Sequence, residues 1–213
     1  MKEKVIYTIG RQFGSGGRLI GRKLAERLGI PYYDKDLLAI AAKSSGLADG
    51  LFKEGEKPSV SLLYSLVSGD YSHPMSAGTL GFNEMPLNDR LFIIQSNTIK
   101  QVAAKGSCVI IGRCADYVLR NDPDLVSVFI HAPLKERAKR AFEVYGADKD
   151  NAENICLKND KSRANFYNYY SDTRWGMCDS YTLALDSSLL GVEGAVDAII
   201  SYTELRDRKR AGC

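Results

Sequence analysis

The sequence predicts an α/β fold in which a parallel sheet is covered on both faces by helices. Short apolar segments rich in β-branched residues recur as "KVIYTI" (4–9), "CVII" (108–111), "LVSVFIHA" (125–132) and "YTLALD" (181–186). Segments with apolar residues at helical spacing lie between them. The 108–111 run is apolar at every position, which marks a strand buried on both faces. Strands that alternate with helices make βαβ units and hence a parallel sheet.

The elements follow in order. Residues 4–9 form the first strand, bounded by Gly10. Ile20, Leu24 and Leu28 place a helix over 17–28, with Gly29 as its stop. "IPYYD" gives a short second strand ending at Asp34, and "KDLLAIAAKSS" the next helix. Residues 46–86 are rich in Gly, Pro and Ser and read as a flexible insert, with a helix near 59–67. Leu91, Ile94, Ile99 and Val102 restore helical spacing over 87–104. The 108–111 and 125–132 strands come next, and Pro133 opens a helix bearing Leu134, Ala138, Ala141 and Phe142. Residues 147–175 are polar, charged and aromatic. The strand 181–186 precedes a last helix with Val192, Ala195, Val196, Ile199 and Ile200, and "RDRKRAGC" reads as a frayed tail.

The 213 residues suffice for one domain with a substantial core. Basic and acidic residues nearly balance, 29 against 26, which gives no nucleic-acid or membrane footprint. No apolar run approaches the roughly 18 residues of a membrane span, and the N-terminus goes straight into a strand without a signal peptide. Five scattered cysteines without C-x-x-C spacing fit reduced thiols in a cytoplasmic protein. His73 and His131 have no ligand spacing, and no metal-ligating set stands out.

The chemistry concentrates in "RQFGSGGRL" (11–19), a glycine-rich turn between a strand and a helix. Such a turn is an anion site, because backbone N–H groups and the helix dipole both face the ligand. Against the phosphate-loop pattern G-x-x-x-x-G-K-[ST], with the second glycine on Gly16, Arg11 falls at the first glycine. Gly17 then falls at the lysine and Arg18 at the Ser/Thr. Arg11 and Arg18 flank the glycines, and either guanidinium can grip phosphate in place of the lysine.

"RQFGSGGRLIGRKLAERLGIPYYD", "CVIIGRCADYVL", "VFIHAPLKERAKR" and "YTLALDSSLLGVEGAVDAI" together resemble the cytidylate kinase-like family of P-loop proteins. The resemblance spans 4–45 and 107–200. It implies a three-layer α/β/α P-loop kinase fold with about five parallel strands, an acceptor-binding insert at 46–86 and a lid at 147–175. It also implies phosphoryl transfer from ATP, with Mg²⁺, to a nucleoside monophosphate, CMP or dCMP first. Gly14, Ser15, Gly16, Gly17 and Arg18 would hold ATP phosphates together with Arg11. Gly112 and Arg113 would hold the acceptor, with Arg113 on its phosphate, and Lys161 and Arg163 would belong to the lid. Arg18, Arg113 and Arg163 would offset charge in the transition state. This chain departs from the pattern at the loop lysine (Gly17), the loop threonine (Leu19), the strand-end acid (Ile111) and the acid after Gly-Arg (Cys114). The missing lysine and acid motivate one alternative, a non-catalytic nucleotide sensor, and the insert at 46–86, which the resemblance does not cover, motivates another, a kinase for a different small acceptor.

Other candidates have two readings each. Asp34 contacts substrate or water-bound Mg²⁺, or N-caps a helix at Lys35. Asp116 is read as an exposed helix residue rather than a shifted carboxylate. Arg90 and Gln95 lie on the 87–104 helix, where they could face the acceptor. The aromatics Phe166, Tyr167, Tyr169, Tyr170 and Trp175 are read as packing rather than base stacking.

Overall fold

The computed structural model describes residues 4–34 and 86–212. The expected insert at 46–86 and the helix from Lys35 therefore lie outside the described residues, save Pro86. The elements are β1 (Ile6–Arg11), α1 (Gly17–Leu28), β2 (Tyr32–Tyr33), α2 (Leu87–Ala104), β3 (Cys108–Ile111), α3 (Ala115–Val118), β4 (Leu125–His131), α4 (Leu134–Tyr145), α5 (Ala152–Tyr170), β5 (Leu183–Asp186) and α6 (Ser187–Ala211). The five strands run parallel in the order β2-β3-β1-β4-β5.

β1 is the central strand, and its alternation builds both layers. Val5, Tyr7 and Ile9 pack with Ile20 and Leu24 of α1 and with Ala195, Val196 and Ile199 of α6. Ile6 points the other way, to Ile99 and Val102 of α2 and Ala115 of α3. β3 divides likewise, with Val109 and Ile111 on the first face and Cys108 and Ile110 on the second. The connections after β1 and β3 thus leave to opposite faces, and a crevice opens at the carboxyl ends of these two neighbours.

Two expectations change. β1 runs two residues past Ile9, because Gly10 and Arg11 pair with Phe129 and Ile130 of β4. The C-terminal segment is helical to Ala211 rather than frayed. Arg206 and Arg210 donate to the carbonyls of Leu125 and Pro123 (3.4 and 2.8 Å), and the Tyr7 hydroxyl meets Thr203 at 3.2 Å. These bonds tie the helix to the amino-terminal edge of the sheet.

Candidate active site

A cleft of about 380 Å³ opens over the carboxyl ends of β1 and β3. Its floor is the glycine turn between β1 and α1, and α5 forms one wall. No side chain caps the N-terminus of α1, and its first turn carries no acid. Its first amides therefore keep their capacity for an anion.

Arg11 is rooted in the sheet and half-buried, and its side chain fills the space beside two glycines. A Cβ at position 17 would lie 2.6 Å from Arg11 Cβ and 3.1 Å from its Cγ. A Cβ at position 112 would collide with Arg11 Nη1. The loop thus has no room for a lysine at 17 while an arginine stands at 11. Burial pulls the Arg11 pKa well below its ordinary value, and Arg163, Arg113 and, more weakly, Arg18 push it further the same way. Among the described residues no carboxylate pairs with it. Arg18 differs: its Nη2 lies 2.6 Å from Asp34 Oδ2, and that bond raises the Arg18 pKa. Asp34 is buried, so it serves as partner to Arg18.

The loop is held from below by α4 and α5. Asp160 Oδ1 accepts from Phe13 N–H at 2.6 Å, and its Oδ2 takes a bond from Arg137 Nη1 at 2.5 Å. Arg137 also donates to the carbonyls of Phe13 and Ala132. Both backbone groups of Phe13 are therefore fixed by one buried ion pair. Burial raises the Asp160 pKa, against the lowering effect of the Phe13 amide, Arg137 and Arg163. Arg140 donates to the Gly14 carbonyl at 2.7 Å. Arg163 donates to the Arg11 carbonyl at 3.0 Å and lies over the Phe13 ring.

Beyond β3 the backbone makes a left-handed turn over three successive residues, Gly112, Arg113 and Cys114 (φ 65°, 62° and 54°). For the two residues with side chains this costs roughly 1–2 kcal/mol each. All three line the cleft. Cys114 is buried, and burial raises its thiol pKa.

The cleft also has aromatic lining, including Phe13 and Tyr145. Phe166, Tyr167, Trp175 and Tyr181 line it together with Asp116. Asp116 is 7% exposed, against the exposed position expected for it. The Tyr167 hydroxyl donates to Asp116 Oδ2 at 2.7 Å and lies 3.0 Å from Thr173 Oγ1. Burial raises the Asp116 pKa, and the Tyr167 hydroxyl and the amides of Asp116 and Tyr117 oppose it.

Of the residues singled out from sequence, Arg11, Gly14, Gly16, Gly17, Arg18, Asp34, Gly112, Arg113 and Arg163 come together around this cleft. Ser15 does not line it, because its hydroxyl bonds the Gln12 carbonyl at 2.9 Å inside the turn. Lys161 is exposed on α5, and Arg90 and Gln95 lie on α2; none of the three lines the cleft. The aromatics pack as expected: Phe92 stacks on Tyr170 with centroids 4.0 Å apart, and Phe166 meets both rings edge-on. Phe166, Tyr167 and Trp175 also face the cleft. Sequence reasoning missed Asp160, whose spacing three residues before Arg163 on one helix was its only available signal. Among the described residues no group of three or more His, Cys, Asp or Glu side chains could hold a metal, and no helix is long and apolar enough to cross a membrane.

Comparison with known proteins adds the following. An uncharacterized protein from Eubacterium ventriosum is similar at 30% identity, with a TM-score of 0.71 over 94% of this chain and 99% of that one. Shikimate kinase from Bacteroides thetaiotaomicron (14% identity, TM-score 0.56, 95% and 99% covered) and a gluconokinase from Sinorhizobium meliloti (16%, 0.52, 98% and 99%) share the fold. No curated protein matches the chain. The three-layer α/β/α architecture with five parallel strands is thus that of P-loop kinases, and the family model matches residues 6–189: the chain belongs to the cytidylate kinase-like family.

Proposed function

We propose that the protein transfers a phosphoryl group from MgATP to a nucleoside monophosphate, with CMP or dCMP as the acceptor. The observation that carries this is the reciprocal exchange at the loop. Where the pattern has glycine and lysine, this chain has Arg11 and Gly17, and Arg11 occupies the space a side chain at 17 would need. The loop keeps its positive charge but brings it from the strand side. Arg11, Arg113 and Arg163 then bring three guanidiniums to one cleft above unsatisfied amides. That arrangement suits the spread negative charge of a transferring phosphoryl group.

Arg11 and the amides of Gly16 to Arg18 bind the ATP phosphates in this reading. Arg113 takes the acceptor phosphate, and Arg163 neutralises charge between them. Mg²⁺ arrives with ATP and is held through water and phosphate oxygens. Of the two carboxyls lining the cleft, Asp34 is paired with Arg18 and Asp116 bonds Tyr167. Arg18 orients Asp34 at the edge of the site, with its own charge offset there. The free thiols of Cys108, Cys114, Cys156 and Cys178 suit a reducing compartment such as the cytoplasm.

A coupled ADP-release assay with MgATP against CMP, dCMP, UMP, AMP and GMP tests the proposal. Turnover is expected with the cytidine nucleotides. The presence of Ile111 at the strand end, where relatives carry an acid, favours a second reading, a sensor that binds nucleotide without turnover. A thermal shift with ATP and no ADP release from any acceptor, shikimate and gluconate included, would support that reading.

A further inference from the structure

We propose that Ser187 is a positioning residue for the glycine turn: its hydroxyl fixes the Ser15–Gly16 peptide so that the Gly16 amide faces the donor phosphates. The inference rests on the reading above, in which ATP phosphates lie on this turn, and adds a residue 172 positions away in the chain. Ser187 is the first residue of α6 and is 2% exposed. Its Oγ lies 2.6 Å from the Ser15 carbonyl oxygen and 3.2 Å from that of His131. A serine hydroxyl has one proton, and Ser15 is the nearer acceptor, so the proton goes there. The amide and hydroxyl of Ser188 both donate to Asp186 Oδ1, at 2.8 and 2.7 Å, and these bonds hold the start of α6 around Ser187.

The Ser15–Gly16 peptide needs such an anchor. Gly14 and Gly16 have φ of 77° and 80°, so Ser15 stands between two left-handed glycines. A peptide unit followed by glycine rotates about its flanking bonds at little steric cost, because glycine accepts either sign of φ. Rotation would turn the Gly16 amide away from the phosphates and present a carbonyl in its place. In a planar trans peptide the carbonyl and the following amide point in opposite directions. Ser187 does not line the cleft, whereas Gly16 and Gly17 do. Holding the Ser15 carbonyl against Ser187 therefore sends the Gly16 N–H the other way, to the cleft. Among the described residues that amide has no acceptor of its own. The bonds from Arg137 to the Phe13 carbonyl and from Arg140 to the Gly14 carbonyl treat the two preceding peptides in the same manner. Those two anchors come from α4, and Ser187 brings a third from the junction of β5 and α6.

Calorimetric titration of MgATP, inorganic pyrophosphate and CMP into wild type, Ser187→Ala and Ser187→Thr tests the role, with Tm measured alongside. Pyrophosphate reports on the turn without a nucleobase. Ser187→Ala is expected to weaken MgATP and pyrophosphate roughly 3- to 10-fold, the scale of one hydrogen bond, while CMP affinity holds. Ser187→Thr keeps the hydroxyl and is expected to bind all three as wild type does. If Ser187→Ala does not fold, Ser187→Cys, a weaker donor, takes its place with a smaller loss expected. A lowered Tm with unchanged affinities, measured well below both Tm values, would make Ser187 a folding residue and overturn the proposal. Equal losses for CMP and MgATP would overturn it too, as would a threonine variant as weak as the alanine one. Wild type that binds neither MgATP nor pyrophosphate would instead remove the reading of the turn as a phosphate site, before any variant is compared.

Discussion

Arg11 and Gly17 are one device in two positions. Arg11 Cβ stands where a Cβ at 17 would have to go, so the two sites cannot be changed independently. Gly17→Lys alone is expected to destabilise the protein by about 1–3 kcal/mol through overpacking and to abolish tight ATP binding. Arg11→Gly alone is expected to fold and to bind ATP weakly. The double variant Arg11→Gly with Gly17→Lys is expected to regain both stability and affinity. Chemical denaturation and calorimetric titration of all four proteins measure the coupling, and additive single effects would mean that Arg11 is not the loop's charge. The sequence showed that the lysine was gone and offered two arginines. It could not show that Arg18 is ion-paired and Arg11 is not, because the Arg18 partner, Asp34, lies sixteen residues away. Asp116 was misread for a related reason. A lone acid after a glycine turn has the pattern of a solvated residue, and only the packing of Tyr167 over it reveals burial.

At the scale of elements, α5 is the helix least visible in the sequence. It spans most of 147–175, which the family resemblance implies as a lid over phosphates. In the structure it is a nineteen-residue helix tied to three other elements. Asp160 and Arg163 bind the glycine turn, Tyr167 binds α3, and Tyr170 stacks on Phe92 while its hydroxyl bonds Asp89 of α2 at 2.8 Å. The periodicity of α1, α2 and α6 was legible because each buries one face against the sheet. α5 buries its residues against loops and other helices, so no clean stripe marks it. Removing one member of the Arg137–Asp160 pair, as in Asp160→Ala, is expected to cost about 3–5 kcal/mol by stranding a buried guanidinium. Replacing both with Arg137→Met and Asp160→Leu is expected to restore most of that stability in urea unfolding. MgATP affinity is expected to stay low in the double variant, because Phe13 then lacks the bonds that set the turn. Recovery of affinity along with stability would show that the pair serves folding only.

For the molecule as a whole, the cleft concentrates positive charge that the rest of the chain does not share. The net charge is only +3, yet Arg11, Arg18, Arg113 and Arg163 face one cavity and two of them have depressed pKa values. Mutual repulsion there is a cost of folding that a bound polyanion offsets. At 100 times its Kd, a ligand confined to the folded state adds about 2.7 kcal/mol of stability. For a protein of this size that is a Tm rise of roughly 5–10 °C. MgATP is therefore expected to raise Tm by that order, and the rise is expected to shrink as salt increases from 50 to 500 mM. A shift indifferent to salt would place the ligand away from the arginines.

The exchange at positions 11 and 17 also constrains descent. A lineage that moved from lysine at one site to arginine at the other by single replacements could not pass through a form bearing both, since the two side chains compete for one volume. The open route runs through glycine at both sites, where the turn keeps its amides but has lost its cation. Arg163 and Arg113, which line the same cleft, would have carried binding across that gap. Surviving family members with glycine at both positions would be relics of that crossing.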